Sequence, residues 1–197
     1  MIIGIVDYGA SNLFSLRAAF ERLGGSVKMV KGSIPDELDL LVMPGVGSFG
    51  QAASSIEPIR ESIIDFIEGG KTFLGICLGL HLMFNSSEEG PGRGLGLLEG
   101  QVRRISSGKV PHMGWSETRL VADSDLWDGL NAVEYFYYAH SYVPAYSGEW
   151  VKAIADYGEK MPAMVQAGNK IGVQFHPEKS GNSGQLLLKN IMHMVKK

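Results

Sequence analysis

The chain alternates between short apolar runs and stretches in which apolar residues recur at helical spacing. The runs at 1–9, 26–30, 38–45 and 71–76 are mostly set off by Gly or Pro and predict buried strands. Apolar residues three or four positions apart predict helices at 12–23, 56–68 and 79–84. This repeated strand–helix order favours an α/β fold, with a doubly wound, mostly parallel sheet flanked by helices.

The alternation of strand-like and helical segments ends after residue 90. A glycine-rich stretch, GPGRGLGLLEG, is followed by shorter β-like pieces at 132–138 and 150–156, which predict an additional antiparallel β region in the second half. A strand-like run at 171–175 and an amphipathic helix at 185–195 complete the pattern. Because no internal repeat, low-complexity tract or linker interrupts it, we expect a single domain over residues 1–197.

Composition narrows the range of functions. The 197 residues are 45% hydrophobic, enough for a buried core, and the formal net charge of -3 gives no basic excess for binding nucleic acid. A single cysteine cannot form an internal disulfide, which fits a reducing cytoplasm. The N-terminus lacks the basic flank of a signal peptide, and no apolar run approaches the roughly 20 residues of a membrane span. We therefore expect a soluble, cytoplasmic protein with no nucleic-acid or membrane partner.

That single cysteine, Cys77, lies in the segment GICLGL, where a predicted buried strand gives way to a helix. The glycines at 75 and 79 permit a sharp turn, as in the G-x-S-x-G nucleophile elbow of α/β hydrolases. A helix N-terminus beyond the turn stabilises a thiolate and supplies backbone N–H groups for an oxyanion. On this turn alone, a packed core cysteine with incidental glycines is an equally good interpretation.

A nucleophilic cysteine needs a base, and His176 in GVQFHPEKSG is the candidate. Pro177 disfavours a helix at His176, so an extended segment can bring Glu178 beside the imidazole to orient it. Taken by itself, an H-x-E sequence is more often an exposed loop histidine next to an ordinary charge. Both elements, however, follow predicted parallel strands, whose carboxyl ends hold the sites of open α/β sheets. Together they favour a nucleophile–base–carboxylate arrangement.

At this point the sequence resembles the class I (triad) glutamine amidotransferases, which hydrolyse the amide of glutamine and pass ammonia to a synthase. Within that class it is most similar to the glutaminase subunits of imidazole glycerol phosphate synthase, which act in histidine biosynthesis. The similarity runs from end to end. The matching segments are DYGASNL (7–13), PGVGSFG (44–50), GICLGLHLMF (75–84), GLGLLEG (94–100), PHMGW (111–115), HSY (140–142) and GVQFHPEKSG (172–181).

The resemblance implies a role for each matching residue. Cys77 corresponds to the nucleophile, His176 to the general base and acid, and Glu178 to the carboxylate that orients the histidine. The oxyanion would be bound by the backbone N–H of Leu78 and, after a rearrangement, by an N–H of the PGVG loop. That loop N–H lies near Val46 and Gly47. Glu89, Ser141 and Tyr142 correspond to positions that hold the amino-acid end of the substrate.

One position departs from the family pattern. Four residues after the nucleophile the family usually has a glutamine that contacts the substrate, and this chain has His81. An imidazole can still donate and accept a hydrogen bond there, so we expect His81 to line the substrate site. Because imidazole ordinarily titrates near neutral pH, the sequence also predicts a pH-dependent contribution from His81 in that range.

The resemblance also implies a partner. The family acts as a heterodimer with a cyclase subunit of (β/α)8 barrel fold, and Asn12, Tyr137 and Lys179 match residues around the ammonia gate. From the residues alone, simpler interpretations are favoured: Asn12 as a helix cap, Tyr137 as a core aromatic and Lys179 as a solvated charge. No cofactor is implied. His112, His140 and His193 lack the spacing of metal ligands, so we expect no metal site.

Two alternatives to this function remain at the level of the sequence. The first is a paralogous glutaminase that feeds a different synthase, for example in surface-sugar amination, which the departure at His81 leaves open. The second is a non-catalytic binding subunit of the same fold, against which the intact Cys77, His176 and Glu178 argue.

Overall fold

The computed structural model describes residues 1–9, 13–145 and 148–196. Its helices are α1 Leu13–Arg22, α2 Phe49–Ile56, α3 Arg60–Glu68, α4 Leu78–His81 and α5 Gly181–Met194. Its strands are β1 Ile2–Val6, β2 Ser26–Val30, β3 Leu40–Met43, β4 Thr72–Ile76, β5 Val102–Arg104, β6 His112–Leu120, β7 Val133–His140, β8 Tyr142–Pro144, β9 Val151–Asp156, β10 Lys160–Ala167 and β11 Lys170–Val173. Short 3₁₀ helices lie at Glu57–Ile59, Asp125–Trp127 and Pro177–Lys179.

Within the described residues, nine strands form one sheet in the order β2-β1-β3-β4-β11-β10-β9-β6-β7, and β5 pairs with β8 in a separate two-stranded sheet. The strands from β2 to β11 in this order are parallel to one another, and each later neighbour is antiparallel. The predicted α/β class is confirmed, and the antiparallel region of the second half extends the parallel sheet.

Helices cover both faces of the parallel half of the sheet, which is why its inner strands β1, β3 and β4 are almost entirely apolar. In β4, Leu74 and Ile76 join a buried cluster with residues of α1 and α5, whereas Phe73 joins a second cluster with residues of α2 and α3. Alternate side chains of one strand therefore enter two separate cores, as expected for a doubly wound sheet.

The helices differ in part from the sequence patterns. The patterns do not predict α2, which carries four buried residues, Phe49, Ala52, Ala53 and Ile56. The helix predicted at 56–68 begins as a 3₁₀ turn before α3, and α4 ends at His81 rather than at 84. Helix α5 starts at Gly181, before its predicted start at 185. Among the described helices, none is both long and apolar enough to cross a membrane.

The neighbouring parallel strands β4 and β11 determine where the site lies. Their register pairs Ile76 with Val173, so the two strands end at the same edge of the sheet. The Cys77 N–H donates a hydrogen bond of 2.7 Å to the Val173 carbonyl and continues this pairing by one residue. The segment that follows β11 contains His176, so both predicted catalytic residues emerge side by side.

Candidate active site

Cys77 occupies a sharp, strained turn between β4 and α4. Its φ of 52° lies in the left-handed region, where no other non-glycine residue of the described chain is found. A Cβ at Gly79 would lie 1.8 Å from the Met43 carbonyl oxygen, and one at Gly75 would lie 2.5 Å from the Gly79 carbonyl oxygen. Because such strain persists only where the surroundings enforce it, the turn is built to present the thiol. Its geometry is that of a nucleophile elbow.

His176 and Glu178 form a buried pair next to this turn. The His176 Nδ1 lies 3.0 Å from Glu178 Oε1, and the two side chains are only 2% and 3% exposed. An ionised carboxylate only accepts hydrogen bonds, so Nδ1 carries the proton and Nε2 is left as the basic atom. Nε2 is buried and makes no hydrogen bond within the described residues.

The charge state of His176 depends on its two neighbours. Burial lowers the pKa of His176, but the interactions with Cys77 and Glu178 act in the opposite direction and raise it above its ordinary value. The raised pKa makes the imidazole a stronger base, which helps Nε2 to accept the proton of the Cys77 thiol. Removal of that proton is what nucleophilic attack by sulfur requires.

Gln174 is a site residue that the sequence motifs do not indicate. Its side chain is fully buried, and its Nε2 donates to Cys77 Sγ across 3.8 Å, while the thiol can donate to the Ala139 carbonyl at the same distance. Gln174 directly follows β11 and lies two residues before His176 in the sequence. That spacing was the available signal.

A cavity of about 170 Å³ opens beside the thiol. Its lining includes the predicted nucleophile and every residue predicted to bind the substrate. These eight residues are Val46, Gly47, Cys77, Leu78, His81, Glu89, Ser141 and Tyr142. Pro111, Met113 and His140 also line it and were not predicted. Within the described residues, no group of three or more His, Cys, Asp or Glu side chains could hold a metal ion.

The loop after β3 forms the wall of the cavity opposite α4. A Cβ at Gly45 would meet both the Leu78 side chain and the Tyr8 hydroxyl at 2.5 Å, so only glycine fits. The Tyr8 hydroxyl donates to the Pro44 carbonyl and anchors the start of the loop. Gly47 has a φ of 147°, which leaves its peptide free to adopt conformations closed to other residues. Nothing in the sequence singles out Tyr8.

His81 is neutral in this site. Burial lowers its pKa to about 4, outweighing hydrogen bonds to Gln174 and to the Tyr142 backbone. Its Nε2 lies 2.9 Å from the Gln174 Oε1, an acceptor, so Nε2 carries the proton. The expectation that His81 titrates near neutral pH is therefore wrong, because an imidazole buried this deeply does not bind a proton there.

Glu89 faces the cavity but also supports the fold. Its Oε2 accepts a hydrogen bond of 2.9 Å from the Phe49 N–H, at the start of α2. Burial raises the pKa of Glu89, and this hydrogen bond partly offsets the rise. A carboxylate held in this way can accept further hydrogen bonds from a ligand in the cavity.

Two of the predicted gate residues, Tyr137 and Lys179, are not among the residues that line the cavity. The Lys179 Nζ is 5.8 Å from the centre of the Tyr137 ring, and the Trp115 ring packs against the same ring, edge to face, at 6.2 Å. The backbone carbonyl of Tyr137 accepts a hydrogen bond of 2.8 Å from the His176 N–H. Tyr137 is thus tied directly to the triad. Asn12 lies outside the described residues.

The fold, the cysteine turn and the buried His–Glu pair are those of a class I glutamine amidotransferase. The sequence model of the family described as "Glutamine amidotransferase class-I" matches residues 4–195, and the chain belongs to that family. A structure described as PurLQS from Thermotoga maritima shares the fold, with a TM-score of 0.80 at 23% identity, over 98% of each chain.

Closer relatives narrow the class further. The chain is 44% identical to "Imidazole glycerol phosphate synthase subunit HisH" of Methanothermobacter thermautotrophicus, over 99% of this chain and 100% of the relative. It is 40% identical to the protein of the same description from Bacillus cereus, over 98% of this chain and 95% of the relative. Within the class, the chain belongs to this family of HisH subunits.

Proposed function

We propose that this chain is the glutaminase subunit of an imidazole glycerol phosphate synthase. It hydrolyses glutamine to glutamate and ammonia and passes the ammonia to a separate cyclase subunit in histidine biosynthesis. One observation carries the proposal. Cys77 and the buried His176–Glu178 pair follow two adjacent parallel strands and interact with each other, and Cys77 lines a cavity that is large enough for a small molecule.

In the first half of the reaction, His176 Nε2 takes the thiol proton and the Cys77 thiolate attacks the carboxamide carbon. The oxygen becomes an oxyanion, bound by the N–H of Leu78, which as the first residue of α4 has no partner within the helix. When the C–N bond breaks, the imidazolium protonates the leaving nitrogen, and ammonia departs. A γ-glutamyl thioester remains on Cys77.

In the second half, His176 acts as a base toward water. The hydroxide that forms attacks the thioester carbonyl, the C–S bond breaks, and the sulfur leaves as a thiolate that regains its proton from His176. Glu178 stays ionised throughout and stabilises each imidazolium, because its carboxylate is 3.0 Å from Nδ1. Glutamate is released and the site returns to its starting state.

The remaining cavity residues bind the substrate in this proposal. The carboxylate of Glu89 accepts hydrogen bonds from the α-ammonium group, and the segment of Ser141 and Tyr142 holds the amino-acid end. His81, neutral and bonded to Gln174, borders the substrate without contributing charge. The loop of Val46 and Gly47 supplies the second oxyanion donor after its peptide reorients. No cofactor takes part.

The partner in this proposal is a cyclase of (β/α)8 barrel fold, bound as a heterodimer. It docks around Asn12, Tyr137 and Lys179, which form the ammonia gate. Exposed apolar side chains beside Tyr137 support this placement, since Trp115 is 56% and Tyr135 53% exposed on the same face of the β6–β7 hairpin. The chain acts as one domain, in the cytoplasm.

The proposal is tested with the complex of this chain and its cyclase partner. Cys77→Ala should abolish glutamate release from glutamine, while synthesis from added ammonium salts continues, because the cyclase site is untouched. Cys77→Ser, which keeps a hydroxyl at the turn, is the matched variant and should be nearly as inactive. Glutamate release by Cys77→Ala would rule out the mechanism. Co-purification with a synthase that uses a different ammonia acceptor would show that the partner is not the proposed cyclase.

A further inference from the structure

A chain of buried and partly buried hydrogen bonds leads to the cavity wall through two histidines that the proposed mechanism does not use. Ser116 Oγ lies 2.7 Å from His112 Nε2, His112 Nδ1 lies 3.0 Å from His140 Nε2, and His140 Nδ1 lies 2.8 Å from the Tyr142 carbonyl oxygen. We propose that this relay positions the segment 140–142 so that it binds glutamine, a role that rests on the proposed function.

The direction of every hydrogen bond in the relay follows from its last member. A carbonyl oxygen only accepts, so His140 Nδ1 carries a proton. Burial lowers the pKa of His140 to about 3 and that of His112 to about 4, so both rings are neutral. His140 Nε2 is therefore an acceptor, His112 Nδ1 must donate to it, and the Ser116 hydroxyl must donate to His112 Nε2. Only one arrangement of protons satisfies the relay.

Packing holds the relay rigid. The His112 ring is stacked between Tyr138, with ring centres 4.6 Å apart, and Tyr157, with centres 3.9 Å apart. Both histidines are almost fully buried. The charged or titratable groups that act on His140 are His112, His81 and His176. A neutral relay is thus consistent with a cationic His176 nearby, because a charge on His140 would be repelled.

The relay acts on the part of the cavity wall that is proposed to hold the substrate. The Tyr142 carbonyl is fixed by His140, and the Ser141 carbonyl accepts a hydrogen bond of 3.0 Å from the Ile105 N–H. With both carbonyls engaged, the peptide planes on either side of Tyr142 are set. The backbone of Ser141 and Tyr142, which line the cavity, is then held in one orientation. Loss of the relay should therefore weaken substrate binding more than chemistry.

The tautomers provide a test that does not depend on activity. Nitrogen-15 NMR of the histidine side chains in the full-length chain at pH 7 should show both His112 and His140 neutral and protonated at Nδ1. His112→Asn and His140→Asn assign the signals by their loss. Protonation of either ring at Nε2, or a cationic ring, would overturn the relay.

Kinetics of the complex test its effect on the substrate. His112→Phe keeps the stacked ring but leaves the buried His140 Nε2 without a donor, and should raise the KM for glutamine roughly 10-fold with a smaller change in kcat. His112→Asn, which restores an N–H near the position of Nδ1, should recover most of the loss. Thr118 lies on the same strand as His112, and Thr118→Val removes a buried hydrogen bond of 2.6 Å to Tyr138 without removing any hydrogen bond of the relay, so it serves as the matched control.

The outcomes separate the relay from the proposed function. If the wild-type complex releases no glutamate, the proposed function fails, and the tautomers still decide whether the relay exists. If the wild type is active and the KM of His112→Phe is unchanged, the positioning role is wrong even with the predicted tautomers. An equal rise in KM for Thr118→Val would also contradict it, because the effect would then reflect general loosening of the strand.

Discussion

Among single residues, His81 shows most clearly how burial changes chemistry. The family usually has a glutamine here, and the neutral imidazole reproduces an uncharged group that hydrogen-bonds Gln174. The ring cannot act as a cation at neutral pH, because its pKa is lowered to about 4. His81 should therefore influence stability in acid rather than catalysis near neutrality.

We expect His81 to make the protein less stable as pH falls from about 6.5 to 4. In that window the unfolded chain protonates this imidazole at its ordinary pKa of 6.5, whereas the folded chain does so only near 4. The unfolded state binds more protons, so the free energy of unfolding decreases, by on the order of 3 kcal/mol for this residue. Above pH 6.5 both states are neutral and the contribution is constant.

Thermal melts of wild type and His81→Gln between pH 7.5 and 4.5 would measure this effect. The glutamine variant does not titrate, so its melting temperature should fall less steeply, while glutamine turnover in the complex is retained. Buried His112 and His140 titrate in the same direction and are common to both proteins, so they cancel in the comparison. Parallel melting curves across the whole range would contradict the assignment.

The proposed triad follows from the sequence because its signals are local. One signal is a cysteine between glycines at the end of a strand, and the other is His176 two residues from Glu178. Together they indicate a nucleophile with its base and orienting carboxylate. Gln174 and Tyr8 could not be predicted in the same way. Their contacts with Cys77 and with the Pro44 carbonyl join segments that are 97 and 36 residues apart, and only the folded chain creates them.

At the scale of elements, the β6–β7 hairpin presents two different faces. Its inner face holds the relay histidines, and its outer face exposes Met113, Trp115 and Tyr135. The outer face adjoins Tyr137, whose carbonyl is bonded to the His176 N–H. A partner seated on this hairpin would therefore lie one hydrogen bond from the triad.

We expect Trp115→Ala to weaken binding of the cyclase partner by about 30-fold in Kd, since a large aromatic residue at the centre of an interface contributes 2 kcal/mol or more. Glutamine turnover at saturating partner should change less. Val121→Ala is the matched control, because Val121 is also exposed, at 45%, but lies beyond the end of β6. Isothermal titration calorimetry measures the Kd of each variant for the partner. Equal Kd values for the two variants would show that the hairpin is not part of the interface.

The elements themselves were predictable where burial is uniform. The strands β1, β3 and β4 are apolar throughout because helices cover both faces, and their sequence runs show it directly. Helix α2 is different. Its sequence, FGQAASSI, is short and rich in small polar residues, so its buried positions resemble a loop until α3 and the sheet pack on them. Small residues carry little periodic signal even when they are fully buried.

At the scale of the whole molecule, the site lies between two parts outside the segment that holds Cys77. On one side is the loop of Val46 and Gly47, whose glycine has a φ of 147°, and on the other is the β6–β7 hairpin, where the proposed partner would dock. Neither part belongs to the strand–turn–helix that holds Cys77 rigidly. Binding a partner can therefore complete the oxyanion site without moving the nucleophile.

We expect the isolated chain to bind glutamine but hydrolyse it slowly. Addition of the cyclase and its nucleotide ligand should raise kcat far more than it lowers KM. One missing oxyanion donor lowers kcat by roughly 100- to 1,000-fold, so activation of that order is expected. Glutamate release at saturating glutamine, with and without partner and ligand, measures it. Full turnover by the chain alone would mean that the oxyanion site is already formed and would exclude this form of gating.

The position of β11 has a consequence for biosynthesis of the protein. It joins β4 to β10, and among the described strands it is the last to be translated. Until that segment leaves the ribosome, β4 and β10 are open edges of two incomplete sheets, which are prone to aggregate and are natural clients for chaperones. The nascent chain also lacks His176 at this stage. Cys77 therefore has no base during synthesis, and no glutamine is hydrolysed before folding is complete.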